Sequence, residues 1–382
     1  MDTARNGARR SRASARRSHD GAERQRGAVV SRVLLTGAAG FIGSHVHRAL
    51  TTAGHEVVGV DLMLPAAHGH EARTPEDVRR LDVRDGDALD GVLRGIDVVC
   101  HQAAVVGAGV SAQDAPAYAS HNDYGTAVLL AAMARAGCRR LVLASSMVVY
   151  GEGRYHAGPR GSVDVGVRRV DDLDNGIFEH RDPDTGEILS WVPVGEDSPL
   201  RPRSLYAASK LAQENFAAAW ASATGSSVTA LRYHNVYGDD MPKDTPYSGV
   251  AAIFRSALEA GQPPQVFEDG RQARDFVHVT DIAAANIAAV EHPLAGYTPL
   301  NISSGQPITI GEVAATLAAA RGGPQPVVTG RYRFGDVRHI VANPNRARHA
   351  IGFAAQVDPI SGLTEFAFAP LRSTAGVGAP TV

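Results

Sequence analysis

The sequence predicts an α/β fold: a doubly wound parallel sheet with a second, smaller lobe. Three observations carry this. Short apolar runs alternate with Ala/Leu-rich helical stretches, the rhythm of repeated βαβ units. The runs are apolar throughout, as expected of strands covered on both faces. Gly37, Gly40 and Gly43 punctuate the junction between the first strand and the first helix.

In chain order, "RVLLT" (Arg32–Thr36) is the first strand, and the first helix runs through "GSHVHRALTTAG". Strands follow at "EVVGVD" (Glu56–Asp61), "DVVCHQAA" (Asp97–Ala104), "RRLVLASS" (Arg139–Ser146) and "SVTALRYHN" (Ser227–Asn235). Helical runs such as "GTAVLLAAMARAG" (Gly125–Gly137) separate them. Residues 30–238 form the larger domain, with an insertion at about 153–196 and a returning segment at about 276–298. Beyond Gly238, Pro, Gly and charged residues become frequent, so 239–275 and 299–370 are assigned to the smaller lobe. Residues 1–29 and 371–382 lack the apolar content to order themselves and are expected to be disordered.

Composition excludes several classes. The chain of 382 residues is 44% hydrophobic and 20% charged, as soluble globular proteins are. Net charge is -2, which gives no reason to expect nucleic acid, although residues 1–30 carry eight Arg against Asp2, Asp20 and Glu23. No apolar stretch is long enough to span a membrane, and the basic start has no apolar core of a secretory signal. The two cysteines, Cys100 and Cys138, read as small buried hydrophobes in a reducing cytoplasm. "DPDTGE" (Asp182–Glu187) reads as a turn, because its glycine is misplaced for a calcium loop; no metal site is expected.

The glycine triplet is spaced for a dinucleotide. Gly37 permits a tight turn, Gly40 lets backbone approach a pyrophosphate at the helix start, and Gly43 allows close helix–strand packing. Phe41 and Ile42 belong to the same cofactor-binding turn. Asp61 ends the second strand, where a carboxylate accepts hydrogen bonds from the adenosine ribose and repels a 2′-phosphate. The expected cofactor is NAD. In "SLYAASKLAQENF", Tyr206 and Lys210 are four apart on a helical run and share a face. A tyrosine near pKa 10 is a poor base at neutral pH, but the adjacent ammonium and a positively charged nicotinamide ring favour the phenolate.

The glycine triplet, the strand ending in Ser145–Ser146 and the Tyr206/Lys210 pair together resemble the extended short-chain dehydrogenase/reductase family, in particular its nucleotide-sugar epimerases and dehydratases. The resemblance runs from about Arg32 to Phe366. It implies catalytic roles for Ser146, Tyr206 and Lys210, with Ser146 hydrogen-bonding the reacting sugar hydroxyl. It implies adenine contacts at Asp82 and Val83, and a cofactor lining at Gln102, Ala103 and Ala104 in "HQAA", where Gln102 departs from the family's leucine. Asn122 matches an asparagine that steadies the site behind the tyrosine. Substrate contacts are implied at Met147, Asn235, Arg274, Arg333, Asp336 and Arg338, since guanidinium forks suit a diphosphate. A homodimer through the helices Gly125–Ala136 and Tyr206–Ala219 is also implied.

The same resemblance narrows the reaction. Family 4,6-dehydratases carry Thr-Asp-Glu where this chain has Ser146-Met147-Val148, and Met and Val transfer no proton. This favours return of the hydride to a rotated 4-keto sugar, which is 4-epimerisation, with Tyr206 as base and then acid. Ser146 and Tyr206 are 60 residues apart, an interval widened by the insertion. With "YRFGDVRH", this resembles the dTDP-L-rhamnose 4-epimerase branch; Tyr155 or Trp191 of the insertion is expected at the sugar pocket. A sugar oxidoreductase with exchangeable cofactor is the alternative enzyme. A dinucleotide-sensing regulator is the non-enzyme alternative, though it has no use for Ser146, Tyr206 and Lys210.

Overall fold

The computed structural model describes residues 30–69, 71–107, 111–243 and 249–373. The segment expected to be disordered at 1–29 lies outside the described residues, as does 374–382. Seven parallel strands form the main sheet. Across it they run Tyr297–Ile302, Ser227–Tyr233, Arg140–Ser146, Val98–His101, Arg32–Thr36, Glu56–Asp61 and Val78–Arg80. The order reverses between Arg32–Thr36 and Val98–His101, and the crevice at that switch point is where such sheets bind ligands.

Period-two alternation builds a core on each face. Val33, Leu35, Val98, Cys100, Val142 and Leu231 point to one side, where they meet the helices Phe41–Thr52 and Val279–Glu291. Leu34, Val99, Leu141, Leu143 and Ala230 point to the other, against Gly125–Ala136 and Leu205–Thr224. The helix Leu205–Thr224 is capped by Ser204, which accepts from the Ala207 amide at 3.2 Å, and stops at Gly225 in the left-handed region. Cys100 and Cys138 are buried and unpaired, as the composition implies.

The smaller lobe has its own core of Tyr237, Phe254, Val266, Phe276, Leu317, Leu363 and Phe366. Its three-stranded sheet joins Asn235–Tyr237, Ala273–His278 and Pro307–Thr309. The insertion folds as a three-stranded antiparallel sheet of Ser162–Val163, Arg154–His156 and Ser190–Val192. Within it, Asp182 accepts from the amides of Asp184 and Thr185, so "DPDTGE" is a turn.

Several boundaries differ from the sequence expectation, and Asn235–Tyr237, expected in the larger domain, belong to the lobe sheet. Residues 299–302 belong to the main sheet: Tyr297–Ile302 pairs with Ser227–Tyr233 at its edge, where Pro299 is tolerated. Phe276–His278, expected in the larger domain, instead pair with Asn235–Tyr237 in the lobe sheet. Leu371–Ser373 is not a loose tail; it pairs in parallel with Met241–Lys243.

Candidate active site

A cleft of about 1060 Å³ runs from the glycine turn, past Tyr206 and Lys210, to the smaller lobe. At one end Gly37 holds φ +69°, and a Cβ there would lie 2.7 Å from the Ala103 nitrogen. A Cβ on Gly43 would collide with the Gly37 carbonyl at 1.9 Å. The helix Phe41–Thr52 starts with no side-chain cap and no acidic residue in its first turn, leaving its amide end for an anion. Gly40, Phe41 and Ile42 line the cleft beside it.

Asp61 also lines the cleft. Its Oδ2 accepts from the Ala39 amide at 3.1 Å and its Oδ1 from the Met63 amide at 2.8 Å, with His68 Nε2 3.3 Å away. Burial pushes this carboxyl up, but His68 and the two amides more than offset it, so it lies below the usual range and stays anionic. An oriented carboxylate beside a glycine cradle fits the adenosine ribose of NAD. Asp82 and Val83 line the same end, and Asp82 is fixed by Arg84 at 2.6 Å.

Gln102, Ala103 and Ala104 form the floor. Gln102, the departure from leucine, ties Tyr233 (3.1 Å) to Asn286 (2.9 Å) beneath the reacting region. Asn122 lies behind the cleft rather than in it. Its amide group donates to the Val105 carbonyl and Ser209 Oγ, both at 2.9 Å, and Ser209 donates to the Tyr206 carbonyl. Asn122 is thus a brace for the tyrosine helix, behind the tyrosine, and does not itself line the cofactor cleft.

The strand Arg140–Ser146 delivers its two hydroxyls to opposite sides, as strand geometry requires. Ser145 turns inward and donates to buried Glu214, which also binds Arg232 at 2.7 and 2.9 Å. Ser146 turns toward the phenol of Tyr206, and its hydroxyl favours the phenolate. Burial raises the Tyr206 phenol above its ordinary value, Ser146 pulls it back, and Tyr118 adds to the rise. Lys210 Nζ lies 6.0 Å from the Tyr206 ring centroid and donates to the Ala144 carbonyl at 2.9 Å. The expectation that this ammonium favours the phenolate is overridden among the chain's own groups, where burial dominates.

Burial also lowers Lys210 to about 8, against a smaller raising influence from Glu214. A lysine depressed on folding binds its proton more tightly when unfolded, so its burial costs stability below about pH 8. That cost, about 3 kcal/mol, is relieved as pH rises toward the unfolded value near 10.5. Lys210→Met should therefore be more stable than wild type at pH 7, with the gap closing toward pH 10. Thermal denaturation of both proteins across that range checks it.

At the lobe end, Phe267 lies under two guanidinium groups, Arg331 and Arg333, each 5.1 Å from its ring. Arg333, Asn235 and Met147, among the implied substrate contacts, line the cleft. The other implied substrate contacts are placed elsewhere. Arg274 donates to the carbonyls of Ala273, Val337 and Arg338 at 2.7–2.9 Å, fastening the lobe strand to the 337–338 segment. Asp336 is exposed outside the cleft. Arg338 is fully buried among Glu179, Glu268 and Asp269, because only carboxylates offset the desolvation of its charge. Neither Tyr155 nor Trp191 lines the cleft; Trp191 stacks on His339, and Tyr155 packs against His180. Sequence reasoning missed His68, Phe267, Arg331 and Arg372, all of which line the cleft. The alternation of basic and aromatic residues in "RYRF" (Arg331–Phe334) is the sequence signal for Arg331.

The sequence of the NAD dependent epimerase/dehydratase family matches this chain over residues 33–165 and 184–303, and the unmatched interval falls inside the insertion. A dTDP-L-rhamnose 4-epimerase of Burkholderia thailandensis is 31% identical over 87% of this chain and 93% of its own length. A UDP-glucose 4-epimerase of Mycolicibacterium smegmatis is 30% identical over 87% of this chain and 96% of its own. The solved structure of the Thermus thermophilus UDP-glucose 4-epimerase complex with NAD is 30% identical, with a TM-score of 0.69 over 88% of this chain and 97% of that one. With the glycine cradle, the anionic Asp61 and the Tyr206–Lys210 pair in one cleft, the chain belongs to the NAD dependent epimerase/dehydratase family.

Proposed function

We propose that this chain inverts C4 of a nucleotide-diphosphate sugar, a dTDP-L-rhamnose-like or dTDP-hexose substrate, through a transient 4-keto sugar. One observation carries the reading. Tyr206 and Lys210 line the cleft with Ser146 acting on the Tyr206 phenol, while the neighbouring wall position is Met147, which supplies no acid for loss of water. The nucleotide half is supported by Phe267 with Arg331 and Arg333, an aromatic face with cations for a base and a diphosphate. The dTDP-sugar choice is supported by the Burkholderia relative.

NAD, when bound, takes up and returns the hydride of the sugar C4. The chain's own residues do the rest. Tyr206 accepts the C4 hydroxyl proton and later gives it back, so no net proton is consumed. Ser146 holds that oxygen against Tyr206 through the cycle. Lys210, fixed on the Ala144 carbonyl, adds positive charge where the phenolate forms.

The chain is read as a cytoplasmic protein: among the described residues no helix is long and apolar enough to cross a membrane, and Cys100 and Cys138 are unpaired. A homodimer is supported by Tyr124 and Phe216, 58% and 47% exposed beside and on the adjoining helices Gly125–Ala136 and Leu205–Thr224. The test is incubation of the purified protein with dTDP-, UDP- and GDP-sugars without added cofactor, following C4 configuration by proton NMR. Interconversion of a C4 pair, strongest for a dTDP-sugar, is expected. Conversion only with stoichiometric NAD(H) would replace the reading with an oxidoreductase, and loss of water with a dehydratase.

A further inference from the structure

We infer that Arg372, carried by the C-terminal strand, is a cofactor-binding residue that closes the adenosine end of the dinucleotide cleft. This rests on the reading that the cleft holds NAD. The strand Leu371–Ser373 lies beside Met241–Lys243, in the register Pro242 to Arg372, and its entry is fixed by the Asp240 amide on the Pro370 carbonyl at 2.8 Å. From there Arg372 reaches the glycine turn and donates from Nη1 to the Ala39 carbonyl at 2.7 Å. The amide of that same Ala39 is held by Asp61 Oδ2 at 3.1 Å. One residue of the turn is therefore gripped from both sides, by the ribose-binding carboxylate and by a guanidinium from the other lobe.

Arg372 lines the cleft together with Asp61, Met241 and Pro242. The other cationic side chains of the lining lie elsewhere: Lys210 beside Tyr206, Arg331 and Arg333 over Phe267. Arg372 alone among the described lining residues brings full positive charge to the glycine turn. One of its N–H groups serves Ala39, and the half-buried fork retains further donors for an adenosine diphosphate. The surrounding segment is moored to the first helix as well. His45 Nε2 meets the Asp239 carbonyl at 3.0 Å, and Arg48 lies 3.9 Å from Asp240. Backbone amides at a helix start bind a pyrophosphate without help. A guanidinium from the opposite lobe makes release of the dinucleotide depend on separating the two lobes at that edge. An enzyme that returns its hydride to the molecule that gave it gains from such retention.

The test compares wild type, Arg372→Ala and Arg372→Lys after removal of bound nucleotide, titrating each calorimetrically with NAD and with ADP-ribose. Arg372→Ala should weaken both by about tenfold or more, the loss of one charge-assisted contact. Arg372→Lys should fall between, keeping charge without the fork. Equal losses for NAD and ADP-ribose place the contact outside the nicotinamide ring, as a contact at the adenosine diphosphate requires. Affinities within twofold of wild type in both variants, with wild type binding NAD, would overturn the clasp and leave the epimerase reading intact. Failure of wild type to bind NAD would overturn both, whereas normal binding losses without any sugar conversion would overturn the epimerase reading alone.

Discussion

Tyr206→Phe is expected to lower kcat/KM by about a thousandfold while leaving NAD affinity within a few-fold of wild type. The phenol is the group that Ser146 addresses and that Lys210 stands beside, and general acid–base groups of this kind contribute factors of about 10²–10⁴. Phenylalanine keeps the ring that Tyr118 meets at 6.0 Å, so the loss reports the oxygen and not the packing. The pH profile follows from the same geometry. Burial raises Tyr206, so in the free protein the phenol is protonated at neutral pH, and a protonated phenol cannot accept the sugar proton. Activity should therefore fall as pH drops, and the falling limb should vanish in the variant. The NMR epimerisation assay with a nucleotide titration checks both; activity within tenfold of wild type would remove Tyr206 from the mechanism.

The sequence made the catalytic half of the cleft legible because it is built from local patterns. Gly37, Gly40 and Gly43 lie within one turn, Asp61 ends the next strand, and Tyr206 and Lys210 are one helical turn apart. Each spacing fixes its own geometry before any tertiary contact forms. The lobe half was hidden because it depends on pairings between distant segments. Phe267 and Arg333 meet only after the lobe folds. Arg372 reaches Ala39 across 333 residues, from a stretch whose composition reads as a disordered tail. Pro299 removes a ladder donor, yet the edge position of Tyr297–Ile302 tolerates it. For arginine the ambiguity is physical. A guanidinium binds a diphosphate and a cluster of carboxylates with the same fork, so "RYRFGDVRH" alone could not tell Arg333 from Arg338.

That ambiguity yields the second large effect. Arg338→Met should destabilise the protein by about 3–5 kcal/mol, the cost of breaking a buried ion pair by removing one partner. The Arg338 side chain has no exposure; it donates to Glu268 at 2.8 Å and to the two oxygens of Asp269 at 2.7 and 2.9 Å, and pairs with Glu179 of the insertion. Met fills the volume but leaves three carboxylates without their common partner. Arg168, 2.7 Å from Glu268, compensates only that one. Since Glu179 belongs to the insertion and Glu268 and Asp269 to the lobe, the damage should start where those two meet. Burial pushes Glu179 up, but His339 and Arg338 overcome it and hold it down to about 2. Its contribution is thus present above the ordinary glutamate range near 4.5 and lost as pH falls toward 2, so the gap between wild type and variant should narrow in acid. Denaturant unfolding at pH 7 and at low pH measures both effects. A diphosphate-binding Arg338 would give the opposite pattern, a raised KM with unchanged stability. That pattern belongs to Arg333→Ala, which strips a cation from the cleft wall and leaves the carboxylate cluster untouched.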